Sequence, residues 1–153
     1  MRILIAAIGR AHNQPAVILY ENYVNRINAW HVKLKEIEIR KRLPSKQLRS
    51  AEAKALLSAR AKGSVTVVLD RDGEIATTAA FARRMQDWQQ DAVPEISFFI
   101  GGAEGLDSAL CTHADWRLAL GRMTWPHLMA RAMLAEQIYR VQQMLTGHPY
   151  HRE

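Results

Sequence analysis

The sequence has 153 residues and 48% hydrophobic content, which suit one globular domain spanning residues 1–153. Its formal net charge of +6 favours a polyanionic partner, with nucleic acid ahead of an acidic membrane surface. No apolar run reaches the roughly 18 residues of a membrane span, and the apolar start is too short for a secretory signal, so we expect a cytoplasmic protein without a membrane partner.

Five strand-like runs alternate with helix-like stretches along the chain. The runs lie at 2–8, 32–39, 64–70, 95–101 and 115–121, and the helical stretches lie at 12–29, 47–62, 77–90, 107–113 and 126–145. This alternation predicts an α/β fold with a mostly parallel sheet and helices on both faces. The first, third and fourth runs are apolar without interruption, which is typical of central strands. The charged residues in run 32–39 predict a strand near an edge.

A basic stretch covers residues 40–50, RKRLPSKQLRS. Its five cationic side chains are Arg40, Lys41, Arg42, Lys46 and Arg49. Clustered Lys and Arg on a loop can bind a nucleic-acid backbone without reading its sequence. The alternative is an ordinary solvated loop, and the composition favours neither interpretation.

Glycines stand where two of the predicted strands end. Gly101, Gly102 and Gly105 belong to a glycine loop, residues 101–106, and Gly121 ends the fifth run. Glycine lets a ligand approach the backbone closely, and open α/β folds bind ligands at the carboxyl ends of their strands. Together with the end of run 64–70 these loops predict one pocket. The pattern differs from GxGxxG, which disfavours a dinucleotide site.

Other reactive residue types give weaker signals. The lone Cys111 is predicted to be a buried apolar residue, because free cysteine is among the most buried residue types. His12, His31 and His113 lack metal-ligand spacing, so no metal site is predicted. Arg131 lies beside the apolar face of the last helix, so its stem should be covered. Its guanidinium then either reaches solvent or pairs with a carboxylate or phosphate.

Taken together, the motifs resemble a known family. MRILIAAIG, TVVLDRDG, FFIGGAEGL, MTWPHLMAR and MLAEQIYRVQQMLTGHPYHRE follow one another along essentially the whole chain. In this order they are similar to the ribosomal RNA large subunit methyltransferase H family of the SPOUT class, which methylates N3 of a pseudouridine in 23S ribosomal RNA. The terminal PYHRE after an AEQ-type helix is very specific to that family, whereas the glycine loop alone would be weak evidence for it.

The resemblance implies a SPOUT-type α/β knot with a C-terminal trefoil knot, an obligate homodimer and S-adenosyl-L-methionine as cofactor. It assigns the cofactor site to the end of the third strand, the glycine loop and the loop before the last helix. The residues are Leu69, Gly101, Gly102, Leu120, Gly121, Arg122, Met123, Thr124 and Trp125. At Trp125 and Leu128 the chain departs from the family, which commonly has leucine and proline there.

The last seven residues, GHPYHRE, form a tail that is predicted to be half of a site. Methyl transfer to a ring nitrogen needs donor and acceptor in line and a route for the N–H proton, without a metal. Tyr150 can stack on the base, His148 and His151 can exchange a proton, and Arg152 can hold phosphate. These four are the predicted catalytic residues, and the resemblance implies that they complete the cofactor pocket of the partner subunit.

The predicted substrate is ribosomal RNA on the assembled ribosome. Its contacts are assigned to the basic stretch and the last helix: Arg40, Lys41, Arg42, Lys46, Arg49 and Arg131. Two alternatives stay open. One is a ribosome-binding protein of the same fold that has lost methylation, and the other is a SPOUT methyltransferase that acts on transfer RNA.

Overall fold

The computed structural model describes residues 1–148 and 150. In this part of the chain, five strands alternate with five helices, which confirms the predicted α/β order. The strands are β1 (Arg2–Ile8), β2 (His31–Ile37), β3 (Val65–Ile75), β4 (Glu95–Ile100) and β5 (Trp116–Ala119). The helices are α1 (Pro15–Val24), α2 (Ser45–Ala59), α3 (Thr78–Gln90), α4 (Ser108–His113) and α5 (His127–Leu145).

The strands form one sheet in the order β2-β1-β4-β3-β5, and all neighbouring pairs are parallel. The three uninterrupted apolar runs, now β1, β3 and β4, occupy the three central positions, as predicted. β2 lies at an edge, where its alternating charged side chains can reach water. Because the strands run in one direction, the loops that follow them all leave from the same side, the carboxyl edge of the sheet.

Helices cover both faces of the sheet. α1, α3 and α5 pack on one face around Phe98, whereas α2 and α4 pack on the other around Phe99. These two neighbours point to opposite faces because side chains alternate along a strand, and both are fully buried. Burying a side chain of this size contributes roughly 1.5–3 kcal/mol, so each face has its own apolar anchor.

α1 is shorter than the predicted stretch 12–29. It begins at Pro15, whose fixed φ suits a first helical turn, and spans ten residues. Beyond its end, the Gln142 side chain of α5 accepts hydrogen bonds from the N–H groups of Asn28 and Ala29, each at 2.8 Å. The N–H groups of Asn28 and Ala29 are therefore hydrogen-bonded without a continuation of α1.

α5 is the longest helix of the fold, with 19 residues. Leu134, Ile138 and Val141 of its predicted apolar face are fully buried, but Leu145 in the last turn is 38% exposed, so that face ends before it. Among the residues that the structure describes, no helix is both long and apolar enough to cross a membrane. The trefoil knot implied by the resemblance stays a prediction.

β3 contains a bulge at residues 70–73. Leu69 and Glu74, on either side of it, both pair with Leu118 of β5. A Cβ at Gly73 would lie 2.6 Å from the backbone oxygen of Arg117, a distance that real Cβ atoms essentially never show. Glycine is therefore required at this point for the bulge to lie directly against β5.

Candidate functional site

The structure brings the ends of β3, β4 and β5 together at the carboxyl edge. Leu69 of β3 pairs with Ile100 of β4 on one side and with Leu118 of β5 on the other. Gly101 directly follows Ile100, and Leu120 is two residues beyond Leu118. Three residues that were assigned to the cofactor from separate parts of the sequence thus lie at or just beyond the ends of adjacent strands. Their contact with a cofactor stays a prediction.

The glycine loop is tightly folded. Its backbone is closed by a hydrogen bond of 3.1 Å from the N–H of Gly105 to the oxygen of Gly102. A Cβ at Gly101 would lie 3.0 Å from Cγ of Leu106, and a Cβ at Gly102 would lie 3.0 Å from Cγ2 of Ile8. A side chain at either position would therefore press on its neighbours within the protein, apart from any ligand.

A buried carboxyl lies beneath the glycine loop. Glu52 of α2 is only 7% exposed, and its Oε1 would lie 3.4 Å from a Cβ at Gly102. Within the described part of the chain, its buried Oε2 has no hydrogen-bond partner. Burial, together with the nearby Glu104, raises the pKa of Glu52 above its ordinary value. No sequence pattern pointed to this residue, because a glutamate on a helix usually faces water.

The loop before α5, residues 120–126, is fixed by its own side chains. Trp125 donates a hydrogen bond from Nε1 to the backbone oxygen of Leu120 at 3.0 Å. Arg122 donates to the backbone oxygens of Arg71 and Gly73 in the β3 bulge, at 3.0 and 3.2 Å. The side chain of Arg122, a predicted cofactor residue, thus links this loop to the β3 bulge.

The same loop presents groups that face solvent. Gly121 has a φ of +99°, in the left-handed region that glycine adopts without strain, and nothing lies within 4 Å of the place where its Cβ would be. Thr124 is exposed, and the Met123 side chain is 72% exposed. The loop therefore offers open backbone at Gly121 and an uncovered apolar side chain at Met123.

A cavity of about 380 Å³ opens beside this loop. It is lined by residues 118–121 at the end of β5, by residues 75–78 at the start of α3, and by parts of α1 and α5. Its walls are mainly apolar, and Glu136 and Gln137 of α5 supply polar groups. Leu120 and Gly121 of the predicted cofactor set line this cavity, whereas the other seven, among them Leu69 and Gly101, are not part of its lining.

Tyr150 of the tail packs on α1 and α5 of its own chain. Its ring lies 4.9 Å from that of Tyr139, edge to face, and its hydroxyl donates to Oε1 of Glu136 at 3.4 Å. Burial, with the neighbouring Tyr23 hydroxyl, raises the pKa of Tyr150 to about 12, so the phenol is neutral at physiological pH. Glu136 and Tyr23 both line the cavity, and Tyr150 is therefore at its rim.

The remaining tail residues are only partly described. The N–H of His148 donates to the oxygen of Gln143 at 2.9 Å, and its Nδ1 accepts from the N–H of Tyr150 at 3.3 Å. This contact leaves Nε2 to carry the proton of the neutral ring. The predicted catalytic residues His151 and Arg152 lie outside the described residues. A role of the tail in the pocket of a partner subunit stays a prediction.

Arg131 is buried, which corrects its assignment to RNA binding. Its side chain is 2% exposed and pairs with Oε1 of Glu36 at 2.7 Å, and it also donates to the oxygen of Gly9 at 2.8 Å. A guanidinium held inside the protein in this way cannot reach an RNA backbone, so the carboxylate alternative is the correct one. Burial alone would raise the pKa of Glu36, but hydrogen bonds from the N–H of Ala11 and from Arg131 hold it below its ordinary value.

Of the other five predicted RNA contacts, Arg40, Lys41 and Arg42 lie in the loop after β2, and Lys46 and Arg49 lie in the first turns of α2. Four are exposed, namely Arg40, Lys41, Arg42 and Lys46, and Arg49 is half-buried. Arg40 lies 3.4 Å from the carboxylate of Glu38, and Arg10, in the loop after β1, lies 3.8 Å from the same carboxylate. The basic stretch thus extends from the carboxyl edge, the edge that also carries the glycine loop.

Cys111 and the scattered histidines form no metal centre that the structure describes. Cys111 is 8% exposed, as predicted, and burial together with Asp70 raises the pKa of its thiol to about 11. His12, His31 and His113 are exposed. Across residues 1–148 and 150, no group of three or more His, Cys, Asp or Glu side chains is placed to hold a metal ion.

Comparison with known proteins gives consistent matches over nearly the whole chain. Residues 1–151 match the family described as predicted SPOUT methyltransferase. The chain is 49% identical over 152 residues to the ribosomal RNA large subunit methyltransferase H of Rhodospirillum centenum, covering 99% of each chain. It is 43% identical to the protein of the same name from Paramagnetospirillum magneticum, again covering 99% of each.

A solved structure gives a more distant match. The SpoU methyltransferase AviRb from Streptomyces viridochromogenes, in complex with AdoMet, matches with a TM-score of 0.45 and 12% identity. The match covers 96% of this chain and 61% of that one. A likeness this distant transfers no residue from one protein to the other.

Proposed function

Because the chain belongs to the SPOUT methyltransferase family, we propose that it transfers a methyl group from S-adenosyl-L-methionine to ribosomal RNA, at N3 of a pseudouridine in 23S RNA. One observation carries the proposal. The loop before α5 borders one side of the cavity, and the contacts of Tyr150 border another. Residues predicted to hold the methyl donor and a residue predicted to hold the acceptor base thus flank the same space.

The residues around the cavity fit the cofactor. A volume of about 380 Å³ lies within the usual range of roughly 300–1,000 Å³ for small-molecule sites, and a mainly apolar wall with few polar groups is typical of them. Leu120 and Gly121 would hold the cofactor, because the open space beside Gly121 lets a ligand approach the backbone. When bound, S-adenosyl-L-methionine supplies an electrophilic methyl group.

The protein's own part in the reaction is to position the acceptor base and to remove its proton. The half-buried ring of Tyr150 supplies a stacking surface at the cavity rim. With a pKa of about 12, its neutral hydroxyl is a hydrogen-bond donor and a poor base. We therefore assign proton exchange to the tail histidines, His148 and His151, and phosphate binding to Arg152.

We also propose a homodimer. Several large apolar side chains are exposed around the cavity, the loop before α5 and the outer faces of α1 and α5: Ile18, Leu19, Ile75, Met123, Trp125 and Met129. Exposed apolar surface of this kind is typical of interaction sites, and a second copy would remove it from water. A dimer through these helices would also bring the tail of one subunit towards the other.

The basic stretch is proposed to bind the phosphates of ribosomal RNA. Its exposed cations continue the carboxyl edge on which the glycine loop lies, so RNA held there would pass beside the pocket. A ribosomal substrate would supply much of the docking surface itself. It would also place the reaction in the cytoplasm.

The test is methyl transfer from S-adenosyl-L-methionine labelled in its methyl group. The acceptors are free 23S RNA, isolated large subunits, whole ribosomes and transfer RNA, and the methylated base is located by mass spectrometry. We expect incorporation into 23S RNA of ribosomes at a pseudouridine, and a loss of orders of magnitude when residues 148–153 are deleted. Incorporation into transfer RNA alone would favour that substrate. Cofactor and ribosome binding without transfer would favour a protein that has lost methylation.

A further inference from the structure

Arg26 lies among three tyrosine rings. Its guanidinium carbon is 4.2 Å from the ring centre of Tyr139, 5.7 Å from that of Tyr150 and 5.9 Å from that of Tyr23. It also donates a hydrogen bond to the hydroxyl of Tyr139 at 2.6 Å. All three rings lie within the distance at which a guanidinium is attracted to an aromatic face. Arg26 therefore contacts α1, α5 and the tail at once.

The backbone of Arg26 is fixed independently of the tail. Its N–H donates to the oxygen of Tyr23 at 3.1 Å, and its oxygen accepts from Nε2 of Gln142 at 3.3 Å. Gln142 is buried and holds the rest of this turn as well. The guanidinium is therefore carried by a well-anchored turn, and it can act as a fixed support for the tail.

Tyr150 is held by several individually weak contacts. Besides Arg26, its ring has the ring of Tyr139 at 4.9 Å and the guanidinium of Arg140 at 5.0 Å from its centre. Its hydroxyl bond to Glu136 is long, at 3.4 Å, and the same carboxylate oxygen also accepts from Nε of Arg140 at 2.8 Å. The described part of the tail contributes no large apolar side chain besides this ring. Removal of one contact should therefore shift the balance between packed and released states of the ring.

We propose that Arg26 is a positioning residue that holds Tyr150 against α5 at the cavity rim. Its guanidinium fixes the ring of Tyr139 by a hydrogen bond and attracts the ring of Tyr150. The surface on which the target base would stack is thereby preorganised in the absence of RNA. The catalytic consequence rests on the proposed function, whereas the position of the tail can be measured without it.

The variants separate charge, shape and general stability. Arg26→Met keeps most of the stem and removes the charge and the donors, and Arg26→Lys keeps the charge without the planar group. Arg84→Met is the matched control, because the guanidinium of Arg84 on α3 lies 4.5 Å from the ring centre of Trp116 on β5, in the same type of contact. Tyr139→Phe removes only the hydroxyl that accepts from Arg26. Circular dichroism and thermal unfolding establish that each variant is folded.

The first readout is limited cleavage by chymotrypsin after Tyr150, followed by mass spectrometry. A packed ring is a poor substrate, so we expect several-fold faster loss of residues 151–153 from Arg26→Met, a smaller increase from Arg26→Lys and Tyr139→Phe, and the wild-type rate from Arg84→Met. Equal rates for wild type and both Arg26 variants would overturn the proposal. If Arg26→Met is unfolded, Tyr139→Phe decides by the same comparison.

The second readout is methyl transfer to ribosomes at saturating cofactor. We expect Arg26→Met to lower kcat at least tenfold with unchanged affinity for S-adenosyl-L-methionine, and to add little to the loss caused by Tyr150→Ala. A wild-type kcat in Arg26→Met would contradict the inference and leave the proposed function intact. Absence of transfer by the wild-type protein would instead refute the proposed function, and the cleavage rates would still decide the role of Arg26.

Discussion

The buried guanidinium of Arg131 on α5 pairs with the solvent-accessible carboxylate of Glu36 on β2, with 2.7 Å between the guanidinium nitrogen and the carboxylate oxygen. The same guanidinium donates to the oxygen of Gly9, at the end of β1. A single side chain thus joins the last helix to an edge strand and to the loop that follows a central strand.

Loss of this pair should be costly. Replacing Arg131 by Met removes a hydrogen-bond donor from the backbone oxygens of Ile8 and Gly9, and a buried acceptor left without a partner typically costs about 1–3 kcal/mol. We expect Arg131→Met to lower the free energy of unfolding within that range, because the Glu36 carboxylate is accessible to water and adds little to the loss. Arg71→Met, which breaks the exposed pair of Arg71 with Asp72, is the control. The measurement is urea denaturation, and equal decreases in the free energy of unfolding for Arg131→Met and the control would contradict the prediction.

Glu36 should also make the stability depend on pH. Its pKa is lowered in the folded protein, so its contribution is present above the ordinary value of 4.5 and is lost as the pH falls through the folded value. Glu36→Gln should therefore be less stable than wild type at pH 7, and the gap should narrow below pH 4.5. The measurement is urea denaturation across this range. A stability difference between wild type and Glu36→Gln that does not change with pH would contradict this prediction.

Glu52 should have the opposite effect. Burial raises its pKa in the folded protein, so its favourable contribution is full below the ordinary value of 4.5 and is lost as the pH rises through the folded value. Glu52→Gln should therefore be more stable than wild type at pH 7 and similar to it in acid. Glu21→Gln, at an exposed position on α1, should show no such gain. Loss of stability in Glu52→Gln at pH 7 would indicate that the carboxylate is bound by the glycine loop.

Gly101→Val should abolish cofactor binding without unfolding the protein. The new side chain would press on Leu106, 3.0 Å from its Cβ, and would displace the glycine loop from the ends of β3 and β5. Gly63→Ala is the control, because it strains a left-handed residue with a φ of +75° far from this loop. Isothermal titration with S-adenosyl-L-methionine measures both variants. Normal affinity in Gly101→Val would exclude the glycine loop from the cofactor site and limit that site to the cavity beside Leu120 and Gly121.

The basic stretch should control the salt dependence of ribosome binding. Replacement of Lys41, Arg42 and Lys46 by Ala should weaken binding and flatten the dependence of log K on log salt. Each phosphate contact that is lost reduces the number of counterions released on binding. Cofactor affinity should not change. Binding is measured by sedimentation with ribosomes at several salt concentrations. A slope equal to that of wild type would show that these side chains are ordinary solvated residues without phosphate contacts.

Local patterns were sufficient to predict much of the fold. Uninterrupted apolar runs identified β1, β3 and β4 as central, because a strand covered on both faces has no polar side, and the charges around Lys33 and Lys35 identified β2 as an edge strand. The end of α1 could not be predicted in this way. It depends on Gln142, 114 residues from Asn28 in the sequence.

The site shows the same division. Glycines and the family resemblance selected Leu69, Gly101 and Leu120, but their adjacency depends on the register of three parallel strands, which is fixed by contacts distant in sequence. The position of Arg131 beside an apolar face predicted a covered stem. Its partner, Glu36, is 95 residues away on another strand and has no local signal that connects the two.

The common direction of the five strands also decides how the protein can be handled. β1 begins at Arg2, on the side of the sheet opposite to the glycine loop, whereas Tyr150 lies at the cavity rim. An affinity tag or fluorescent fusion joined ahead of Arg2 would leave from the side away from the candidate site. The same tag joined after the tail would begin beside the cavity and compete with RNA. Purification and immobilisation of the active protein should therefore use the amino-terminal side.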